Sequence, residues 1–522
     1  MRIGVLSVFV DYHRRGAKNR LSLQPQIGPL IAGLLPRDVE IEVVNETWQD
    51  PDWQRAYDLL FISALHSDFD RARQISHYWR RRGAKTVFGG SFASSFPELC
   101  RPWFDAIVVG DPEETVPAIY RDFCARRLAP RYESRAYQAA QVTTPRYELL
   151  LGKSVHPLAF EASRGCPFAC DFCVLTGLGT RYHPRPVADV LRDIVAGQRL
   201  VDPHLPFYRR RLVGFTDNNI GGSLAWLRTL CAALAPLNVH WYGAASFNVI
   251  ANRDLVALMS RAGCRILFVG LESFNPAAII DMNKHQNAIH KVRAALDNCL
   301  AHGILVISGL MVSPLADNVG YLRAIPRHLE QAGLHVPTYL AFESPIPGTP
   351  HFRRLAAEPR SFLPNALLRD FAGYTLVTRP RRADVAEFIA AYRVAEREVF
   401  ALRRRLRKLA HDLPRLLRRG HWLPALIDAG DLFTMQSARP PLASRTFIAG
   451  TDAPPSETVP FTPSDFESEE ERRGVLAPWR VTDSDGSVLP AWRHARAVFE
   501  PSRQPNVPVA PPLPGVPTRS AA

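Results

Sequence analysis

Eleven short apolar runs, each of strand length and separated from the next by helix-length or turn-rich sequence, dominate the first 342 residues. Five fall at 3–9, 41–44, 59–62, 86–88 and 106–109, and six at 158–162, 212–216, 240–245, 266–269, 305–312 and 339–342. Continuous apolar runs of this length suit strands buried on both faces of a sheet. Strands that alternate with helices connect in parallel, so the pattern predicts an α/β fold: a small doubly wound sheet within 1–125, then six parallel strand–helix units within 151–380. Ligands on such sheets sit at the carboxyl ends of the strands. In the first sheet that rule singles out Ser63 and Leu65, then Gly89, Gly90 and Ser91, then Gly110 with Glu113 and Glu114. In the second it singles out Asp217, Asn218 and Asn219, then Ser246 and Asn248, then Glu272 and Ser273, and finally Ser313 and Glu343.

From the end of the sixth run extends Glu161-Ala-Ser-Arg-Gly-Cys166-Pro-Phe-Ala-Cys170-Asp-Phe172-Cys173, which spaces three cysteines as C-x3-C-x2-C. Gly165 and Pro167 disfavour regular structure, so the segment reads as a loop in which three thiolates converge. Four-iron clusters are normally held by four thiolates; a site that supplies three leaves one iron open to a small molecule. Zinc and a purely structural cluster are the competing readings. Structural zinc wants four ligands, and no second C-x2-C or Cys/His pair follows at zinc-finger distance.

The other five cysteines (Cys100, Cys124, Cys231, Cys264, Cys299) are scattered singly, which fits a reducing cytoplasm and argues against a second cluster. The first apolar run is too short for a secretory signal and has only Arg2 ahead of it. No stretch approaches the ~20 apolar residues needed to span a bilayer.

The net charge of +14 is concentrated in arginine clusters, the densest at 403–408 and 415–419. There Leu402, Leu406, Leu409, Leu413 and Leu416 recur at steps of four and three, the pattern of an amphipathic helix. The expectation is a leucine stripe packed on the core and a solvated basic face, with a peripheral membrane or other anionic surface as the alternative. Pro414 predicts two shorter helices rather than one. Residues 126–150 read as a connector, 381–450 as a mainly helical region, and 451–522 as a proline-rich extension whose end, from 501, is a disordered tail.

The cysteine loop, with aromatic Phe172 before the third cysteine, resembles the radical SAM signature. The resemblance implies a [4Fe-4S] cluster on Cys166, Cys170 and Cys173, S-adenosylmethionine on the open iron, a 5'-deoxyadenosyl radical, and a partial (β/α)6 barrel. It implies an electron donor such as flavodoxin or ferredoxin. Gly270-Leu-Glu272-Ser273 resembles the strand-end motif that contacts the ribose and amino-acid portion of S-adenosylmethionine. Asp217 and Asn219 stand where simpler members use Gly-Gly-Glu, and read equally as ligand contacts or helix caps; Ser246 is a further contact. Met311-Val-Ser-Pro-Leu-Ala-Asp317 replaces the acidic, glycine-containing turn common after the fifth strand, and the turn at 345–350 reads as structural.

The first sheet resembles the Rossmann-like cobalamin-binding domain that precedes many radical SAM cores. There the Ser63-x-Leu65 and Gly89-Gly90-Ser91 segments would line the corrin pocket. Asp11-x-His13-x-x-Gly16 matches a pattern that supplies a lower axial histidine to cobalt, yet Arg14 and Arg15 are unusual neighbours, and His13 is expected to be a loop residue without cobalt contact. Together the two resemblances imply a cobalamin-dependent radical SAM methyltransferase acting on an unactivated carbon of a small-molecule or lipid substrate. A ring-forming or rearranging enzyme would carry the same motifs. A methylthiotransferase would need further cluster cysteines. A non-enzymatic membrane-surface or RNA-binding module would explain the charge, but the chain lacks a ribonucleoprotein-type aromatic and basic motif.

Overall fold

The computed structural model describes residues 1–10, 26–134, 137, 142–153, 159–201, 210–434, 447–451 and 463–495. Residues 11–25, with His13, and the tail from 501 lie outside them. All eleven apolar runs carry strands, in mixed α/β architecture with parallel sheets.

The first sheet contains β1 (Arg2–Ser7), β2 (Glu40–Asn45), β3 (Leu59–Ser63), β4 (Lys85–Gly89), β5 (Ala106–Val109) and β6 (Arg131–Glu133) in the order β2-β1-β3-β4-β5-β6, every pairing parallel. The order reverses between β1 and β3, and a crevice for ligands forms at the carboxyl ends beside such a reversal. The sixth strand falls in what the sequence suggests is a connector. It is three residues long with only Tyr132 buried, so it carries no apolar alternation to reveal it.

The second sheet has β7 (Ala159–Phe160) at one edge. The short antiparallel pair β8 (Ser163–Arg164) and β9 (His183–Pro184) brackets the cysteine loop. The sheet continues through β10 (Leu212–Phe215), β11 (His240–Ala245), β12 (Cys264–Val269) and β13 (Leu305–Ile307), ordered β13-β12-β11-β10-β7 and all parallel. The expected run 305–312 is broken: β14 (Leu310–Val312) leaves β13 and pairs with β15 (Leu340–Phe342). The break falls at Ser308-Gly309, where the Tyr339 ring lies so close that a Cβ on Gly309 would come within 2.0 Å of it. A bridge between Glu272 and Leu310 joins this pair to the rest. Buried apolar residues of both sheets form one continuous core.

Two expectations for the C-terminal third need correction. Leu402–Arg418 is one helix that runs through Pro414. The carbonyl left without a donor belongs to Ala410; both residues are exposed, so water can take the missing partner's place. The leucine stripe, moreover, packs inward only in part: Leu416 is buried and Leu413 rests against it, but Leu402 and Leu406 are exposed while Arg404 and Arg405 are buried.

Part of the proline-rich extension is built into the fold. Residues 463–495 pack on the first sheet and its helix Phe69–Arg80, where Arg73, fully buried, donates to the carbonyls of Gly474 (3.0 Å) and Ala477 (2.7 Å). Its guanidinium lies between the Trp103 and Trp479 rings, 4.6 and 5.4 Å from their centroids.

Candidate active site

The cysteine loop leaves β8 at Gly165, whose φ of +83° and position admit no side chain: a Cβ would lie 1.8 Å from the Arg181 carbonyl oxygen. After Cys173 the helix Val174–Leu178 begins, so the third thiol sits at a helix entrance. All three cysteines are free thiols. Burial pushes the Cys170 thiol up, and pushes Cys173 to about 11.

Polar groups converge on these sulfurs. Asn219 Nδ2 donates to Cys166 Sγ at 3.6 Å, and Gln286 Nε2 donates to Cys170 Sγ at 3.6 Å. The buried Lys284 lies 5.6 Å from the Phe172 ring centroid and is ion-paired with Glu272. Amide donors and an ammonium around these partly buried sulfurs suit thiolates that carry positive metal. Among the described residues, the one set of three ligating side chains whose donor atoms lie within 4.8 Å of one another is Asp281, Glu343 and His351. At least one sulfur–sulfur separation in the triad therefore exceeds 4.8 Å, whereas tetrahedral ligands of a single zinc, with 2.3 Å bonds, stand about 3.8 Å apart. The donor set fits a larger cluster.

The other strand-end residues from the sequence gather here in different roles. Glu272 has a left-handed backbone, φ +64°, which turns its carboxylate to Lys284. Asp217 accepts from the Ala162 amide at 3.0 Å and from Ser163 Oγ at 2.5 Å. It caps no helix; Ser223 caps the one that follows. Instead it ties β10 to the entrance of the cysteine loop, and burial pushes its carboxyl up to about 7. Asn219 Oδ1 accepts from the amides of Gly221 (3.3 Å) and Ser246 (3.2 Å), which aims its amino group at Cys166. Ser246 Oγ donates to Asn248 at 2.6 Å.

A cleft of about 400 Å³ separates the carboxyl ends of β3, β4 and β5 from the cysteine-loop helix. Ser63, Gly89, Gly90, Ser91 and Gly110 line its floor, apolar side chains such as Ile27, Phe61 and Val108 its sides, and Leu175, Leu178 and Asn218 the facing wall. Gly90 and Gly110 take φ of +113° and +89° there. Leu65 does not line this cleft and is 56% exposed.

Across the cleft runs a contact that strand-end reasoning missed. Arg164 reaches Asp111 (2.8 Å) and Glu113 (2.9 Å) beyond β5, and Glu161 (2.8 Å) before the cysteine loop. One guanidinium thus clamps the two sheets beside Cys166. Lys284 and Gln286 were missed as well, because they lie in an irregular segment that no periodicity marks.

No protein-family model matches the chain. It is 24% identical over 331 residues to bacteriochlorophyllide d C-8(2)-methyltransferase of Chlorobaculum tepidum, covering 61% of this chain and 73% of that protein. It is 24% identical over 360 residues to hopanoid C-2 methylase of Rhodopseudomonas palustris, covering 65% of each. Its fold matches the radical S-adenosylmethionine methyltransferase TsrM of Kitasatospora setae, solved with cobalamin and a [4Fe-4S] cluster, with a TM-score of 0.54 at 16% identity over 68% of this chain and 77% of that one. It also matches the cobalamin-dependent S-adenosylmethionine radical enzyme OxsB, with a TM-score of 0.57 at 14% identity over 84% and 75%. The chain thus resembles methyltransferases in sequence and shares the fold of cobalamin-dependent radical SAM enzymes.

A further polar cluster, in which Glu343 and His351 are buried, lies beside the cysteine loop. Arg354 pairs with Asp171 (2.8 Å) and Asp281 (3.1 Å), and donates to His351 Nδ1 at 3.1 Å. Because Nδ1 accepts, the imidazole proton sits on Nε2, 3.7 Å from Glu343. Burial pushes the Glu343 carboxyl up to about 8.

The folded enzyme thus keeps on Glu343 a proton that the unfolded chain releases near the ordinary value for glutamate. Stability falls as pH rises between those two values and is level on either side. Glu343→Gln removes this slope. The variant's melting temperature should gain on the parent's steadily from pH 5 to pH 8, and a difference independent of pH would contradict the buried neutral acid.

Proposed function

We propose that the enzyme is a C-methyltransferase that holds a [4Fe-4S] cluster on Cys166, Cys170 and Cys173, S-adenosylmethionine against the open iron, and cobalamin in the cleft above β3, β4 and β5. In this reading residues 1–125 are a Rossmann-like cobalamin-binding domain, 126–150 a connector, 151–380 a partial (β/α)6 radical SAM barrel with a split fifth strand, 381–450 a helical region and 451–522 an extension. The observation that carries it is the cleft itself: glycines and apolar walls on one side, and the cysteine-loop helix on the other.

When bound, the cluster and S-adenosylmethionine supply the hydrogen-abstracting radical and the corrin supplies the methyl group. The chain's own residues do the positioning. Gly90 and Gly110 let a flat macrocycle approach the backbone, and Ser63 and Ser91 offer hydroxyls to its polar edge. Asn219 and Gln286 donate to the thiolates. Lys284 and Glu272 present an ammonium and a carboxylate of opposite charge to the zwitterionic end of S-adenosylmethionine, with Ser246 and Asn248 beside them. Arg164 keeps the cysteine loop in register with the cleft, and the apolar walls exclude water from a radical.

The relatives' names give bacteriochlorophyllides and a hopanoid as substrates. For this chain they support a largely apolar small molecule or lipid as the group methylated; a cytoplasmic setting and a flavodoxin or ferredoxin as electron donor complete the proposal.

Anaerobic reconstitution with iron, sulfide and hydroxocobalamin tests the reading. About four irons and one corrin per chain are expected, with iron lost and corrin kept in a Cys166/Cys170/Cys173→Ala variant. Iron without corrin overturns the cobalamin site; zinc in place of iron overturns the radical enzyme.

A further inference from the structure

The helix Leu402–Arg418 leaves a large part of its apolar face exposed. At 3.6 residues per turn, Leu402, Leu406, Leu413 and Leu417 fall on one side. Much of that side faces outward, with Leu402, Leu406 and Leu417 60%, 49% and 53% exposed, while Leu413 rests against Leu305, Leu416 and Ala425. The inward side carries Arg404, Arg405, Asp412 and Leu416. Arg404 anchors it by donating to Glu330 (2.9 Å) and to the carbonyls of His335 (3.1 Å) and Pro326 (2.7 Å). The next helix, Trp422–Thr434, behaves alike: Leu423 and Ala425 are buried, while Trp422 and Leu426 are exposed one turn apart.

Five of the twelve large apolar side chains exposed among the described residues come from this hairpin, so their exposure is not the ordinary scatter of a protein surface. Charge identifies what covers them. Residues 402–434 hold eight Arg or Lys against three Asp. Arg403, Arg407, Arg415, Arg418 and Arg419 are exposed beside the leucines. Arg403 and Arg407 pair with Glu398 and Glu330, whereas Arg418 and Arg419 form no ion pair among the described residues. A second copy of the chain meeting this face symmetrically would set arginines against arginines. An anionic lipid surface meets both demands at once, since acyl chains accept the leucines and headgroup phosphates accept the guanidinium groups. Trp422, amphipathic and next to the arginine-rich turn, suits the level between them.

We infer that the hairpin 402–434 docks the enzyme on an anionic phospholipid surface, with Leu402, Leu406, Leu417, Trp422 and Leu426 at the acyl boundary and Arg415, Arg418 and Arg419 at the phosphates. The contact is peripheral: no described helix is long and apolar enough to cross a membrane. The inference stands apart from the reaction, because it concerns the exposed apolar side chains of the hairpin rather than the cleft.

Flotation of the full-length protein with phosphatidylcholine vesicles, with and without about a third phosphatidylglycerol, tests it. Binding to the anionic vesicles is expected to be at least about tenfold stronger than to the neutral ones and to weaken with salt. Leu406→Glu with Leu417→Glu should reduce it at least about tenfold. Arg418→Gln with Arg419→Gln, which leaves the apolar face untouched, should weaken it and flatten the salt dependence. Failure to float with anionic vesicles overturns the inference, as does flotation indifferent to both variants. A dimer that the leucine variant dissociates, in a protein that ignores vesicles, would assign the face to a second copy instead. Cluster and corrin content report the proposed reaction separately, so neither result hides the other.

Discussion

Gly165→Ala should strip the enzyme of its cluster iron while leaving corrin uptake intact. A left-handed backbone costs an L-residue about 1–2 kcal/mol, but the larger obstacle is steric: the new methyl group would sit 1.8 Å from the Arg181 carbonyl oxygen. A backbone carbonyl cannot swing aside as a side chain can. Either β8 or the strand opposite must move, and both bracket the cysteine loop. Cys166, the next residue, would lose its place opposite Asn219. The cleft is less affected, because its floor of Ser63, Gly90 and Gly110 belongs to the first sheet. Iron and corrin content after anaerobic reconstitution should read about none and about one per chain. Full iron occupancy in the variant would show that the loop tolerates displacement, and would remove Gly165 from the site.

The second large effect concerns stability. Ending the chain at 462 should destabilise the first sheet enough to abolish soluble expression or lower the melting temperature by more than 10 °C, roughly what losing several kcal/mol implies. The deletion uncovers Phe69 and Trp103 and leaves the buried Arg73 guanidinium without two carbonyl acceptors. A buried charge that loses hydrogen-bond partners is among the more costly defects a fold can carry. Trp492→Ala is the milder test. This side chain is buried against Phe92 and Phe96, with its indole N–H on the Arg480 carbonyl at 2.8 Å. Its removal should cost on the order of 3 kcal/mol. Unchanged melting in both variants would mean that 463–495 merely rests on the surface.

Much of the site was legible one strand end at a time. Ser63, Gly89, Gly90 and Ser91 line the cleft, and Asn219 and Glu272 stand beside the cysteine loop, as the carboxyl-end rule for parallel sheets leads one to expect. What each side chain does there was less legible. Asp217 braces the loop entrance rather than capping a helix, because its partners Ala162 and Ser163 lie more than 50 residues away and are brought near only by the pairing of β10 with β7. Arg164 escaped notice for the same reason, since Asp111 and Glu113 lie about as far away, and Lys284 because its segment carries no periodicity. A lone basic residue looks solvated until the fold sets acids around it.

The helix at 402–418 shows the limit most clearly. Its period was plain, but period is symmetric between inside and outside. Which face turned inward was decided by the carboxylate of Glu330 and the carbonyls of Pro326 and His335, all contributed by distant sequence. The amino-acid sequence by itself determined the parallel α/β class, the strand positions and the thiolate triad, since these depend on local periodicity and on spacing within a few residues. Only the tertiary structure decided the cleft, the Arg164 clamp, the Lys284–Glu272 pair, the inward packing of 463–495 and the outward leucines. Each of those depends on which polar groups meet after burial, and burial is a property of the whole chain.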